Sequence, residues 1–326
     1  MQKLLERVSH GKTVKFATHN GTFHCDEVVA ISMLRMLVPT FELVRSRSDE
    51  ELATADVVVD VGGVFDPETF RFDHHQRGFD TYFSDDYKNT TKLSSAGLIY
   101  KYFGRDLLQT KFGCTGDSLE KAFQRIYKNF ICSVDAIDNG VDIAKDVKYK
   151  VNTDLASRIG RLNPSWNEEG VSETERFMAA LDVATEEVNA QIHSAVNVWL
   201  PARVLVEEAV KNRLTYHPSG KVIGLSQFCP WVEHLQDIED ESTDLEILFC
   251  VFSDQGGQFR VRAMPASRGS FENRLSLPEN LRGLSDSELC AKYGLEDLVF
   301  VHHSGFIGGT KTEEAAIKLI DLALRA

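Results

Sequence analysis

The chain has 326 residues, 43% hydrophobic and 26% charged, with 49 acidic against 36 basic side chains and a formal net charge of −13. That length accommodates two domains with proper cores, at about 100–150 residues per domain. The acidic balance excludes non-specific binding to long duplex DNA, which requires broad phosphate neutralisation, but leaves open a short nucleic-acid substrate held by metals or a local basic groove. No apolar run approaches the roughly 20 residues of a membrane span, so no membrane partner is expected.

Residues 1–12 are too short and polar for a secretory signal. They carry three basic residues and one acid, the balance of a weak mitochondrial signal, with cytosol or nucleus as the default compartment. A short strand is predicted at 13–18, closed by the turn signal Asn20-Gly21. Apolar residues at 28, 29, 31, 34 and 37–38 predict a helix over 27–38, stopped by Pro39. A strand at 41–44 follows, then a near-continuous β-branched run at 55–61, as expected for a strand buried on both faces of a parallel sheet. Helices are expected at 94–103 and 118–134, and strands alternating with helices indicate right-handed βαβ units. Phe177, Leu181, Val188, Ile192 and Val196 mark a long amphipathic helix over 173–198, with Pro201 just beyond. It is expected to link a catalytic domain, 1–198, to a smaller α/β domain, 199–326. In the latter, strands at 221–225, 245–252, 258–264 and 298–303 with helices at 286–293 and 312–324 predict a mixed sheet. The acidic run 233–246 reads as a solvated loop. Six cysteines (25, 114, 132, 229, 250 and 290) show no CxxC spacing and are expected as free thiols in a reducing compartment.

The chemistry concentrates in the first quarter. His19-Asn20-Gly21-Thr22-Phe23-His24-Cys25-Asp26-Glu27 and Asp73-His74-His75 are acid-and-imidazole clusters, with Asp60 between them. His19, His24 and Asp26 follow a strand directly, where ligands bind in open α/β sheets. Asp60 ends the Val57-Val58-Val59 run before Gly62-Gly63, and a lone buried carboxylate there is costly unless paired or metal-bound. As a bridge it would counter two cations at once. In Asp73-His74-His75, one imidazole can face metals while the other faces substrate. Each piece has a plainer reading: a structural histidine, Asp26 as a helix cap, Asp60 on the backbone amides of the Gly62-Gly63 turn. Their joint occurrence at strand ends favours a pair of divalent metals, which in hydrolases lie about 3.5–4 Å apart and clamp the attacking and leaving oxygens of a phosphate ester.

His19-x4-His24-x-Asp26, Asp60, Asp73-His74-His75 and Asp135, within Ser133-Val134-Asp135-Ala136-Ile137-Asp138-Asn139-Gly140, together resemble the four motifs of the DHH phosphoesterase superfamily. That group includes RecJ-type exonucleases, oligoribonucleases and manganese pyrophosphatases. The fuller string HNGTFHCDE, DVGG, DHHQ, DAIDNG and VHHSGFIGG resembles, nearly end to end, the MYG (melanocyte proliferating gene product) family. Its members resemble RNA exonucleases acting from the 3′ end, and an older description calls them metal-dependent protein hydrolases.

The resemblance implies that His19 and His24 hold one metal and Asp26 the other, with Asp60 bridging them. His74 and Asp135 complete the second site, Asp138 being the alternative to Asp135, while His75 meets the scissile phosphate or protonates the leaving oxygen. An acid usually stands in the place of His24; the imidazole makes the site softer, favouring Mn²⁺ over Mg²⁺ while admitting either. Gly305-Phe306-Ile307-Gly308-Gly309 resembles the glycine-rich substrate loop of DHH-associated domains, with Gly305, Gly308 and Gly309 bringing backbone N–H groups to a phosphate, Lys311 nearby, and His302 and His303 on the same group. Arg260 and Arg262 alternate on a strand and can grip a phosphate backbone; Phe271 and Arg274 are candidates for stacking on bases. The implied activity is 3′–5′ exonucleolysis of single-stranded RNA or a short oligonucleotide. The competing readings are a small-molecule phosphohydrolase acting on pyrophosphate or dinucleotides, a peptide hydrolase, and a non-catalytic metal-binding regulator.

Overall fold

The computed structural model describes residues 12–242, 244–284 and 286–325. Most of the basic N-terminal stretch read as a weak targeting signal therefore lies outside the described residues. The chain divides into two compact units, Met1–Val196 and Asn197–Ala326. Among the described residues no helix is long and apolar enough to cross a membrane.

The first unit is built on β1 (Val14–Thr18), β2 (Phe41–Arg45), β3 (Val57–Val59), β4 (Phe65–Asp66) and β5 (Arg71–Phe72), arranged β2-β1-β3-β5-β4. The first four strands of that order run parallel and β4 pairs with β5 antiparallel. Parallel pairing places the C-terminal ends of β1, β3 and β5 on one edge of the sheet. His19, Asp60 and Asp73 each follow one of those ends immediately.

Helix α1 (Cys25–Leu37) crosses from β1 to β2 and is buried almost all round, Val28, Val29, Ala30 and Ile31 each being 0% exposed. It stops at Val38, because the residue before a proline is driven out of the helical region. After α2 (Asp49–Ala53) comes α3 (Ser95–Phe112), which runs past the expected end at 103. Leu107 and Leu108 continue its buried stripe, and the helix ends where Gly113 takes a left-handed φ of 70°. The single helix expected at 118–134 is instead α4 (Gly116–Ile126), a π-type turn Tyr127–Ile131, and α5 (Cys132–Asp138). The extra residue of a π turn resets which side chains face inward. Here it buries Tyr127 face to face with Phe83, at 3.6 Å between ring centroids. Next come α6 (Leu155–Gly160) and α7 (Glu173–His193).

The long amphipathic helix expected over 173–198 thus ends at His193 and gives way to a π-type turn, Ser194–Trp199. Pro201 terminates nothing: it sits in the first turn of α8 (Leu200–Lys211), directly after the π-type turn.

In the second unit, α9 (Arg213–Tyr216) precedes β6 (Val222–Leu225), α10 (Val232–Asp240), β7 (Phe249–Ser253), β8 (Phe259–Ala263), α11 (Asp286–Tyr293), β9 (Leu298–Val301), β10 (Ile307–Thr310) and α12 (Glu313–Arg325). The sheet order is β6-β7-β8-β10-β9, with β6 and β7 parallel and the other pairings antiparallel. Alternate residues of β7 feed two cores. Phe249 and Val251 join Leu319 and Ile320 on one face, whereas Cys250 and Phe252 join Trp231 and Leu235 on the other.

Two expectations for this unit require correction. The acidic run contains α10, whose buried Leu235 and Ile238 stand three residues apart amid the acids. Apolar residues on one helical face were enough to fold it. The glycine-rich segment is largely a strand, β10, in the middle of the sheet. Gly309 is there because an added Cβ would lie 2.5 Å from the Phe300 ring and 2.9 Å from the Arg260 guanidinium. Gly309→Ala should lower stability by about 1–3 kcal/mol through overpacking, measured as a shifted urea midpoint at constant slope.

Candidate metal centre

The His19–His24 loop is held open by its surroundings rather than by its own hydrogen bonds. Asn163 accepts from the Phe23 N–H at 2.9 Å and donates to the Phe23 carbonyl at 2.8 Å. Phe23 packs edge-on against Phe177, ring centroids 5.5 Å apart. Arg45 donates to the Gly21 carbonyl at 2.6 Å and lies over the Phe177 ring at 4.9 Å.

At the end of β3, Asp60 adopts a left-handed φ of 60°, a conformation that costs a non-glycine residue about 1–3 kcal/mol and persists only where neighbours enforce it. Its N–H donates to the Phe72 carbonyl at 3.1 Å. The turn aims the 4%-exposed side chain into a ring of imidazoles. His74 Nε2 lies 3.2 Å from Asp60 Oδ1, His75 Nδ1 3.6 Å from the same oxygen, and His19 Nε2 3.4 Å from Oδ2. Ser95 Oγ, in the first turn of α3, donates to Asp60 Oδ1 at 3.0 Å.

Among the described residues the donors fall into three overlapping groups able to hold a cation: His19, His24, Glu27 and Asp60; Asp60, His74 and His75; and Asp26, His74 and Asp138. Asp60 and His74 are the shared members. Mixed carboxylate and imidazole donors fit Mn²⁺ and similar divalent ions. Two atoms test that fit. Asp26 Oδ1 is buried and has no hydrogen-bond partner among the described residues. His74 Nε2 sits 3.2 and 3.3 Å from Asp60 and Asp138 yet is not aligned for a hydrogen bond. Polar atoms buried without partners cost free energy unless something else meets them, and both belong to residues of the donor groups.

The electrostatics agree. Desolvation, with Asp60 and Glu27 beside it, holds the fully buried Asp26 carboxyl well above the ordinary range. Burial alone would lower the His19 pKa, but its contacts with Asp60 and Glu27 prevail and push it up to about 10. An entering cation would therefore displace a proton at neutral pH.

The structure brings together His19, His24, Asp26, Asp60, His74 and His75 as the sequence led us to expect. It separates Asp135 from them. Asp135 Oδ1 accepts from Ser94 N–H (2.9 Å), Ser94 Oγ (2.7 Å) and Gly97 N–H (3.0 Å), and Oδ2 accepts from Tyr127 at 2.9 Å. Fully occupied, it anchors the start of α3. The carboxylate that reaches His74 is Asp138, one helical turn on. Glu27 is the residue the sequence reading passed over: fully buried, it accepts from the His24 N–H at 2.8 Å and stands 3.1 Å from His19. The signal was present as the His24-x-x-Glu27 spacing of a capping box. Asp73 shapes the turn, accepting from Gly63 N–H (2.6 Å), His75 N–H (3.0 Å) and His75 Nδ1 (2.7 Å). It is Asp73, not Asp60, that takes the glycine-turn amide.

The expected substrate residues lie in the second unit. Arg260 and Arg262 share a face of β8, opposite Gly309 and Ile307 of β10. Arg260 is paired with Asp254 at 2.5 Å, and Arg262 lies over Trp231 at 5.9 Å. The His302 and His303 rings are tilted by 42°, their centroids 4.1 Å apart, and Lys311 Nζ donates to the Glu296 carbonyl at 3.2 Å. Gly305 and Gly308 are close-packed, an added Cβ falling 2.6 Å from Arg282 and 2.9 Å from Leu319. Arg274 is committed to Glu239 at 2.6 Å, while Phe271 is fully exposed.

An α/β sheet whose C-terminal edge gathers buried acids and imidazoles from three strand ends defines a class of proteins equipped to hold metal ions. Comparison with known proteins narrows it. The profile of the MYG1 exonuclease family, described as "Uncharacterised protein family (UPF0160)", matches residues 15–324. A MYG1 exonuclease of Mus musculus is 42% identical over 317 residues, covering 94% of this chain and 83% of the relative. The Homo sapiens MYG1 exonuclease is 42% identical, covering 94% and 84%, and a MYG1 protein of Saccharomyces cerevisiae is 40% identical, covering 95% of both. The chain belongs to the MYG1 family.

Asp138→Ala should weaken Mn²⁺ binding by at least about tenfold with little change in the stability of metal-free protein. Asp135→Ala should reverse that order, losing about 3 kcal/mol because buried donors are left unmatched. Calorimetry and urea unfolding separate the two. Mn²⁺ titrations at pH 7 in buffers of differing ionisation enthalpy should show net proton release.

Proposed function

We propose that the chain is a metal-dependent phosphodiesterase of the DHH type, acting as a 3′–5′ exonuclease on single-stranded RNA. The observation that carries this reading is the sharing of Asp60 and His74 among the donor groups, which suits two adjacent cations better than one. The names of the mammalian relatives support nuclease chemistry. Beside the donors lies an open cavity of about 590 Å³, lined by Phe23, His24, Asp26, Asp60, His75 and Asn139 among others. Ligand pockets run from about 300 to 1,000 Å³, and this cavity is of that size.

His19, His24, Glu27 and Asp60 would hold one cation, and Asp26, His74 and Asp138, with Asp60 shared, the other. When bound, the pair supplies an activated water and positive charge for phosphoryl oxygens. The remaining chemistry belongs to the chain. His75 has a 61%-exposed side chain whose Nδ1 is tied to Asp73 at 2.7 Å. That bond orients the ring and leaves Nε2 to protonate the departing oxygen, the base-and-orienter arrangement of general acid catalysis. Ser95 donates to Asp60 and, through its N–H at 3.3 Å, to Asp26, fixing both carboxylates from one helix terminus.

End-labelled single-stranded RNA, DNA and pyrophosphate, offered to metal-free protein with Mn²⁺ or Mg²⁺ restored, test the proposal. The expected outcome is a ladder shortening from the 3′ end of RNA; release of phosphate from pyrophosphate alone would replace it with the small-molecule reading. Asp60→Ala should abolish turnover, and full activity in that variant with metal bound would sink the two-metal mechanism. Ser95→Ala should reduce metal affinity or kcat/KM by about 10- to 100-fold, read from the same assay.

A further inference from the structure

A second cavity, of about 380 Å³, adjoins the same residues and is lined by His19, His24, Arg47, Asp60, Asp73 and His75 among others. It shares His24, Asp60 and His75 with the larger one. Arg47 is the new member. It lies two residues beyond β2, on the sheet edge that carries the metal donors. The Ser46 N–H donates to the Thr18 carbonyl at 2.9 Å, extending the β2–β1 pairing. The Ser48 N–H then donates to Ser46 Oγ at 3.0 Å, so Arg47 occupies the corner of a braced turn.

The two arginines of this segment are used differently. The Arg45 side chain is 4% exposed and spent on the Gly21 and Glu173 carbonyls and two phenylalanine rings. Arg47 is exposed, and among the described residues no hydrogen bond or ion pair engages it. The carboxylates of its cavity are already occupied, Asp60 by Ser95 and the imidazoles, Asp73 by Gly63 and His75. A guanidinium left unpaired at the rim of an acid-rich site lacks an internal counterion, and its fork matches phosphoryl oxygens bidentately.

We propose that Arg47 binds a phosphoryl group of the substrate in the smaller cavity, positioning the phosphodiester over Asp60, His24 and His75. This deepens the phosphodiesterase reading and rests on it for the substrate's class. It assigns the smaller cavity to the phosphate backbone.

The test uses the full chain loaded with Mn²⁺, as wild type, Arg47→Ala and Arg47→Lys. Inorganic phosphate is titrated by calorimetry, and kcat and KM are measured on single-stranded RNA. Phosphate affinity is expected to fall about 10- to 100-fold in Arg47→Ala, the range for losing a charge-assisted hydrogen bond, with partial recovery in Arg47→Lys. The KM for RNA should rise more than kcat falls, while Mn²⁺ affinity and the urea midpoint stay at wild-type values. Equal phosphate affinity in wild type and Arg47→Ala, no phosphate binding by wild type, or loss of Mn²⁺ binding alongside phosphate would each overturn the proposal. A wild-type protein inactive on RNA would instead refute the proposed function, and the phosphate titration would still decide Arg47.

Discussion

Everything chemical in the first unit depends on one strained residue. Asp60 leaves β3 with a left-handed backbone, and that turn carries its carboxylate off the sheet and in among His19, His74 and His75. Continued in strand geometry, the side chain would take its place in the alternation of the sheet faces, between neighbours that are apolar. The strain is held by what surrounds it: the Phe72 carbonyl on its N–H and Ser95 on its carboxylate. Burying this much negative charge, with Asp26 and Glu27 each 0% exposed nearby, is unfavourable in metal-free protein unless protons or cations intervene. The raised pKa values of Asp26 and His19 both favour bound protons in that place.

The helices act as rigid supports for this arrangement. Asp135 gathers Ser94, Gly97 and Tyr127, which fixes the start of α3, and Ser95 there touches two of the donors. The π-type turn before α5 seats Tyr127 for that bond and leaves Asp138 facing His74. Two aspartates three residues apart in one short helix thus perform unrelated tasks. One organises the start of α3, and the other stands among the candidate metal donors.

Much of this was legible from composition and order alone. The β-branched run at 57–59 fits only a strand covered on both faces, and acids or imidazoles placed just after successive strands must meet at one sheet edge if the strands are parallel. That inference needs no coordinates. Other features were hidden for identifiable reasons. Glu27 stood at the first position of the predicted helix and was assigned no role. The acids of α10 masked the apolar pair Leu235 and Ile238. Glycines 305–309 suggested a loop because glycine signals both freedom and tight packing, and only the contacts with Phe300, Leu319 and Arg282 tell the two apart.

The amino-acid sequence by itself therefore determined the α/β character of both units, the parallel sheet edge, and the set of imidazoles and aspartates able to hold metal ions. Hydrophobic periodicity and residue type are local properties, and they survive translation into structure. The tertiary structure alone decided which aspartate of 135 and 138 faces the donors, that Glu27 joins them, and that Arg45 is engaged while Arg47 has no hydrogen bond or ion pair among the described residues. Those outcomes depend on helical phase, on a π turn that shifts it by a residue, and on partners from distant segments. Such long-range partners decide which polar groups are satisfied internally and which remain available for chemistry.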